Sequence, residues 1–163
     1  KRGIENVRIL ADMAAEYEIT LGMEVLNRFE GYMLNTCEEA VDFVAKIDRP
    51  NVKVMLDTFH MNIEEDSFGD AIRMAGKYLG HFHLGEANRR PPFRGGRIPW
   101  DEIGEALHDI ECTGTVVMEP FVRMGGTVGK DIRMWHDLSD NCPDEKLDQD
   151  VAESVRFLRE IWE

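Results

Sequence analysis

The sequence has little that would let it hold a polyanion, cross a bilayer or staple itself with disulfides. Lysine and arginine number 19 against 32 aspartates and glutamates, a formal net charge of −13. Phosphate backbones are held by clustered basic side chains, so this balance argues against nucleic acid and anionic membranes as partners. No apolar run approaches the roughly 18–20 residues that span a bilayer, and Lys1-Arg2-Gly3 leads into a helix-like pattern instead of a signal peptide's apolar stretch. The expected location is the cytoplasm. Cysteine is scarce: Cys37, Cys112 and Cys142 are far apart and odd in number, which fits neither a disulfide framework nor a CxxC metal knuckle. Plain packing residues in a reducing compartment are expected. An initiator methionine is missing as well, and the chain opens inside a segment whose Ile4, Val7, Ala11 and Ala14 already keep helical spacing, as if continuing something longer.

What is present is the composition of a folded domain, with hydrophobic residues at 43% and aromatics at 9% of 163 residues. Four short apolar runs read as buried parallel strands: Ile19–Val25, Val52–Asp57, Tyr78–Leu84 and Gly114–Pro120. Between them lie helical patterns with recognisable starts. Thr36 with Glu39 and Ser67 with Asp70 are capping-box spacings, and Pro99 precedes Ile103, Ala106, Leu107 and Ile110 at helical intervals. A last amphipathic helix is expected from Asp150 to Trp162.

Alternating helices and strands imply a parallel sheet with right-handed crossovers, either an open doubly wound sheet or part of a (β/α)₈ barrel. The strand ends favour the barrel. Each run stops on a potential metal ligand, Glu24, Asp57, His83 or Glu119, and no glycine-rich phosphate fingerprint follows any of them. In an open sheet these ends lie along a line with neighbouring strands ~4.8 Å apart, too spread for one ion, whereas a curled wall brings them to a common centre. A barrel needs eight βα units and about 250 residues. Residues 1–163 are therefore expected to be the C-terminal half of a single (β/α)₈ TIM barrel, with the N-terminal half before Lys1.

Three carboxylates and one imidazole make an oxygen-rich site suited to Mn²⁺, Mg²⁺ or Co²⁺ over thiolate-loving metals. Any one acid at a strand end is more often a helix cap or a solvated loop residue; four in register are harder to dismiss. His60 and Glu30 fall in the loops just past strand ends, where a barrel positions its substrate. For His60 the plain alternative is a loop histidine satisfied by backbone, and for Arg89 it is a surface salt bridge. His81 is expected to turn to the face opposite His83 and be structural. Glu64-Glu65-Asp66 reads as a solvated loop, and Met23, Met55 and Met118 as filling the barrel core.

The segments Gly22–Glu30, Met55–Asn62 and Gly80–Arg89, continued by Gly96-Arg97-Ile98-Pro99-Trp100 and Val116–Phe121, resemble the D-tagatose 3-epimerase and D-psicose (D-allulose) 3-epimerase family of xylose isomerase-like sugar epimerases. The resemblance covers roughly residues 15 to 137. It implies that Glu24, Asp57, His83 and Glu119 ligate one divalent metal, usually Mn²⁺ or Co²⁺, that Glu24 and Glu119 double as the acid/base pair, and that Glu30, His60 and Arg89 hydrogen-bond the O1 to O3 region of a ketose. It further implies epimerisation at C3 of a free ketose through a cis-enediolate, in a homo-oligomer, dimer or tetramer. The stretch Arg90–Gly95 is slightly longer than the family pattern, which leaves that loop's contacts open. An aldose–ketose isomerase on the same scaffold is the alternative, and a metal-dependent, AP endonuclease-like phosphodiesterase a more distant one. As an isolated half barrel the 163 residues are expected to be inactive or to associate.

Overall fold

The computed structural model describes residues 1–163. In chain order it contains α1 (Arg2–Ala15), β1 (Leu21–Glu24), α2 (Cys37–Ile47), β2 (Val52–Asp57), α3 (Thr58–Glu64), α4 (Phe68–Ala75), β3 (Leu79–Leu84), α5 (Trp100–Asp109), β4 (Thr115–Met118), α6 (Gly126–Asp131) and α7 (Asp144–Trp162). Local chemistry sets the boundaries. At α2 the Thr36 hydroxyl accepts from the Glu39 N–H while the Glu39 carboxylate accepts from Thr36, so two otherwise orphaned donors are satisfied. Ser67 caps α4 in the same way through the Asp70 N–H. The last helix starts at Asp144, earlier than the periodicity suggests, because Asp144 and Glu145 suit the positive end of the helix dipole.

The four strands form one parallel sheet in the order β1-β2-β3-β4. Strand order that simply follows chain order is what a barrel wall requires, since a doubly wound sheet reverses at a switch point. The helices confirm this by lying in one row, α1 against α2, α2 against α4, α4 against α5 and α5 against α7. Val52, Val54, Leu56 and Phe82 point into that row and are at most 1% exposed. Burying each such side chain contributes about 1.5–3 kcal/mol. The row is tight at its end, where the Trp162 indole donates to the Trp100 carbonyl at 2.8 Å and lies over Gly104, whose added Cβ would sit 2.2 Å from the ring.

The other face of the sheet carries no helix. By register its first layer is Glu24, Met55, His81 and Thr115, and its second Asp57, His83 and Val117. This corrects two expectations. His81 shares a face with His83, since residues two apart on a strand point the same way, and their rings meet edge-on with centroids 4.8 Å apart. Met55 lies on this face, the interior side of a barrel wall, as expected, whereas Met23 and Met118 turn to the helix row and pack against the core there. Two expected loops also prove ordered. The segment after Asp57 is the helix α3, which makes His60 a helical residue, and the acids at its end are engaged, with Glu64 only 4% exposed at its side chain.

Candidate metal and sugar site

Parallel strands put their C-terminal ends on one rim, and all four expected ligands sit there on the uncovered face. Asp57 is both strand end and helix cap: its Oδ1 accepts the Phe59 N–H at 2.7 Å, which fixes the carboxylate and leaves Oδ2 turned into the site. That oxygen lies 3.8 Å from His83 Nδ1 and 3.7 Å from an Arg89 Nη1. Glu119, just past β4, brings Oε2 to 3.6 Å from the same His83 nitrogen. Glu24 ends β1, and burial pushes its carboxyl up from the ordinary range, helped by the Glu119 and Asp57 carboxylates.

These donors form two overlapping triads that share Asp57. Asp57, His83 and Glu119 lie within 4.8 Å of one another, and so do Glu24, Asp57 and His60. The second triad brings in a histidine expected only to touch substrate, and hydrogen bonding decides its role. His60 Nδ1 accepts from the Asn27 backbone N–H at 3.2 Å, and an N–H can only donate. The neutral ring therefore carries its proton on Nε2, which faces Glu24 Oε1 at 3.9 Å. Burial holds this imidazole below its usual range and Arg89 adds to the effect, so the neutral form prevails at pH 7. His60 is thus a hydrogen-bond donor into the site. His83 is the opposite case, because its buried Nδ1 has no hydrogen-bond partner at all.

Arg89 closes the cluster. Its guanidinium is stacked 3.7 Å from the Phe59 ring centroid and 5.2 Å from that of Phe121. From there it reaches Glu119 Oε2 and Glu30 Oε2, both at 3.4 Å. The surface salt bridge weighed as its alternative is ruled out by its 5% exposure. Glu30 is held by Asn27 Nδ2 at 3.1 Å, and its loop is pinned to the end of α3, where Glu64 accepts from the Arg28 N–H at 2.6 Å and from its guanidinium at 2.7 Å. All seven expected residues thus fall in one cluster.

The residues present fit a divalent cation. Four carboxylates, Glu24, Glu30, Asp57 and Glu119, face a single guanidinium, and the unpartnered His83 nitrogen lies 3.8 and 3.6 Å from oxygens of Asp57 and Glu119. Carboxylates crowded this closely repel one another, which favours a cation between them. A groove of about 500 Å³ between Arg90–Arg94 and α7 contains none of these side chains.

A family model described as xylose isomerase-like TIM barrel matches residues 1–161. The chain belongs to that family. Its four parallel βα units are accordingly part of a (β/α)₈ barrel. A D-psicose 3-epimerase of Ruminiclostridium cellulolyticum is 57% identical over 163 residues, all of this chain and 55% of the relative. One of Agrobacterium fabrum is 58% identical over 158 residues, 97% of this chain and 54% of the relative. Among solved structures, D-psicose 3-epimerase with D-tagatose from Clostridium cellulolyticum H10 superposes with a TM-score of 0.97 at 57% identity, covering 99% of this chain and 56% of that one. The chain spans about half the length of the relatives it matches. Similarity continues to lower identity, with an L-ribulose 3-epimerase of Methylomonas 35% identical over 138 residues, 80% of this chain and 48% of that relative. No helix is long and apolar enough to cross a membrane.

Sequence reasoning missed two residues of this environment. Asn27, 1% exposed, joins His60 to Glu30. Glu86, 2% exposed, accepts from Trp100 Nε1 at 2.9 Å and from the Arg97 N–H at 3.0 Å. Neither is singled out by spacing, because the His60 partner of Asn27 lies 33 residues away and the donors to Glu86 lie 11 and 14 residues away.

Proposed function

We propose that this chain supplies the metal- and sugar-binding half of a ketose 3-epimerase acting on free ketoses of the D-psicose, D-fructose and D-tagatose type. The observation that carries the reading is one cluster in which the Glu24 and Glu119 carboxylates, from the first and last strands, flank the Asp57–His83 floor and the buried Arg89. The high identity to D-psicose 3-epimerases supports the choice of substrate. The remainder of the barrel would cover the open face and complete the pocket.

Inverting C3 of a 2-ketose requires removal of a weakly acidic proton beside the carbonyl and return of a proton to the opposite face, so two bases are needed. Glu24, Asp57, His83 and Glu119 would hold one divalent ion, Mn²⁺ by preference, which when bound polarises the carbonyl and stabilises developing negative charge. Glu24 and Glu119 exchange the C3 proton as acceptor on one face and donor on the other. Burial and neighbouring carboxylates raise Glu24's proton affinity, which suits a group that must both take and give a proton. His60 donates from Nε2 to a sugar oxygen, while Arg89 and Glu30 orient the O1 to O3 end. A cytoplasmic homo-oligomer is the proposed form of the whole protein, in keeping with three free cysteines.

The test is incubation of the whole protein with D-fructose and Mn²⁺ in deuterated water. Formation of D-psicose labelled at C3 is expected. Label only at C1, with aldose as product, would replace this reading with aldose–ketose isomerisation.

A further inference from the structure

We infer that Glu86 is a positioning residue of the sugar site, acting through Arg89; the inference rests on the function proposed above. Arg89 has a backbone conformation that a side-chain-bearing residue adopts reluctantly, φ +67°, and must be held there by its surroundings. Glu86 does the holding twice. Its backbone closes a turn around Arg89, donating to the Arg90 carbonyl and accepting from the Arg89 N–H, both at 2.8 Å. Its side chain reaches the far end of the same loop, where one oxygen accepts from Trp100 Nε1 and the other from the Arg97 N–H.

The carboxylate is also sterically enclosed. Gly96 crosses directly over it, so that an added Cβ would lie 2.1 Å from Oε1. On the other side the Thr58 hydroxyl and Gly85 exchange hydrogen bonds at 2.7 and 2.8 Å, anchoring the residue before Glu86 to α3. Arg89's own carbonyl then accepts from the Phe121 N–H at 2.9 Å, which registers the loop against the segment after β4 that bears Glu119. A movement of Glu86 is transmitted to the guanidinium, because only Ala87 and Asn88 separate the two residues in a closed turn.

Two N–H donors converge on this side chain, which decides what can replace it. A carboxylate accepts from both. An amide has one acceptor oxygen and would turn its NH₂ toward the second donor, leaving a buried clash of donors. The Glu86→Gln substitution preserves size and removes charge, so it tests placement more than packing.

The whole protein, loaded with Mn²⁺, is compared as wild type, Glu86→Gln, Arg89→Ala and the double variant, with D-psicose as substrate. A 10- to 100-fold loss of kcat/KM, mainly in KM, is expected for Glu86→Gln, with Mn²⁺ affinity unchanged. In the Arg89→Ala background the same change should cost less than about threefold. Trp100→Phe, which removes one donor and keeps an aromatic side chain, gives a smaller loss in the same direction and serves if Glu86→Gln does not fold. The Arg89 side-chain N–H resonances in the free protein, ordered in wild type, broaden or shift in both variants. Unchanged KM and unchanged Arg89 resonances in the variants, or an undiminished loss in the Arg89→Ala background, overturn the inference. Inactive wild type with shifted Arg89 resonances would instead discard the epimerase reading and retain the positioning role.

Discussion

The backbone N–H of Asn27 donates to His60 Nδ1 at 3.2 Å, and that single bond sets the polarity of the site's edge. It turns a residue that could have been a metal ligand into a proton-bearing donor, and it separates the two histidines on the rim by chemistry as well as position. Ring ¹⁵N spectra of the metal-free protein at pH 7 should therefore show His60 with a pyrrole-like Nε2 and a pyridine-like Nδ1. The reverse assignment would remove His60 from its donor role.

Asp57 has separable duties. Asparagine keeps an Oδ1 to cap α3 but offers a neutral amide where Oδ2 faces His83. Asp57→Asn should leave the unfolding midpoint close to that of wild type while weakening Mn²⁺ binding at least tenfold, as read by calorimetric titration. Undiminished affinity would take Asp57 out of the ligand set.

Buried Cys37 should be inert. Helix N-termini usually lower a thiol's pKa, yet here burial, with the Glu65 carboxylate adding to it, pushes the thiol up to about 12, and Sγ donates to the Ala71 carbonyl at 3.0 Å. At pH 8 iodoacetamide should modify Cys112 and Cys142, which are partly exposed, and spare Cys37 in the folded protein. Mass spectrometry of the digest reads the result directly, and alkylated Cys37 at the same rate as the others would contradict it.

Glu65 links stability to pH. Burial raises its carboxyl above the ordinary value of 4.5, despite the hydrogen bond it accepts from the Cys37 N–H at 2.7 Å. The folded state thus binds this proton more tightly than the unfolded chain. Its contribution to stability is full below pH 4.5 and is lost as pH rises through the folded value. Glu65→Gln, which retains an acceptor for Cys37, should be more stable than wild type at pH 7 in urea titrations, with the gap closing toward pH 4. A gap that widens on acidification would reverse the sign.

The Thr36 capping box offers a measure of α2 alone. Thr36→Ala removes the acceptor for the Glu39 N–H and should cost about 1 kcal/mol in urea unfolding. A cost near zero would mean that Glu39 and water satisfy the helix end without it.

Much of this was legible in the chain because strand ends and caps are local. Val52–Asp57 shows as an apolar run stopped by an acid, and Thr36 with Glu39 marks the start of a helix; both stand where expected. The α3 helix was not legible, since Thr58–Glu64 is too short to show a helical period and its cap is the strand's own last residue. His81 was misplaced by misapplying the two-residue alternation of a strand. Asn27 and Glu86 were invisible for a different reason: each looks like an ordinary polar residue until the fold brings a distant partner to it, the His60 acceptor to Asn27 and the Trp100 and Arg97 donors to Glu86. The Arg90–Gly95 loop, left open by sequence, meets the rest of the fold at the Arg90 carbonyl, which accepts from the Glu86 N–H at 2.8 Å, and at the exposed Arg94, whose guanidinium meets Glu160 of α7 at 2.9 Å.

The two outer strands of the sheet have a directional consequence. Both β1 and β4 expose an unpaired backbone edge, and both run the same way. A neighbour added to either edge in the same sense cannot arrive through a tight hairpin, because a parallel partner must first travel back across the length of the sheet in a connection of a dozen or more residues. Whatever completes this wall must enter as whole strand–helix units, so a simple ribbon grafted at the margin would face the wrong direction to carry another side chain to the rim where Glu24 and Glu119 stand.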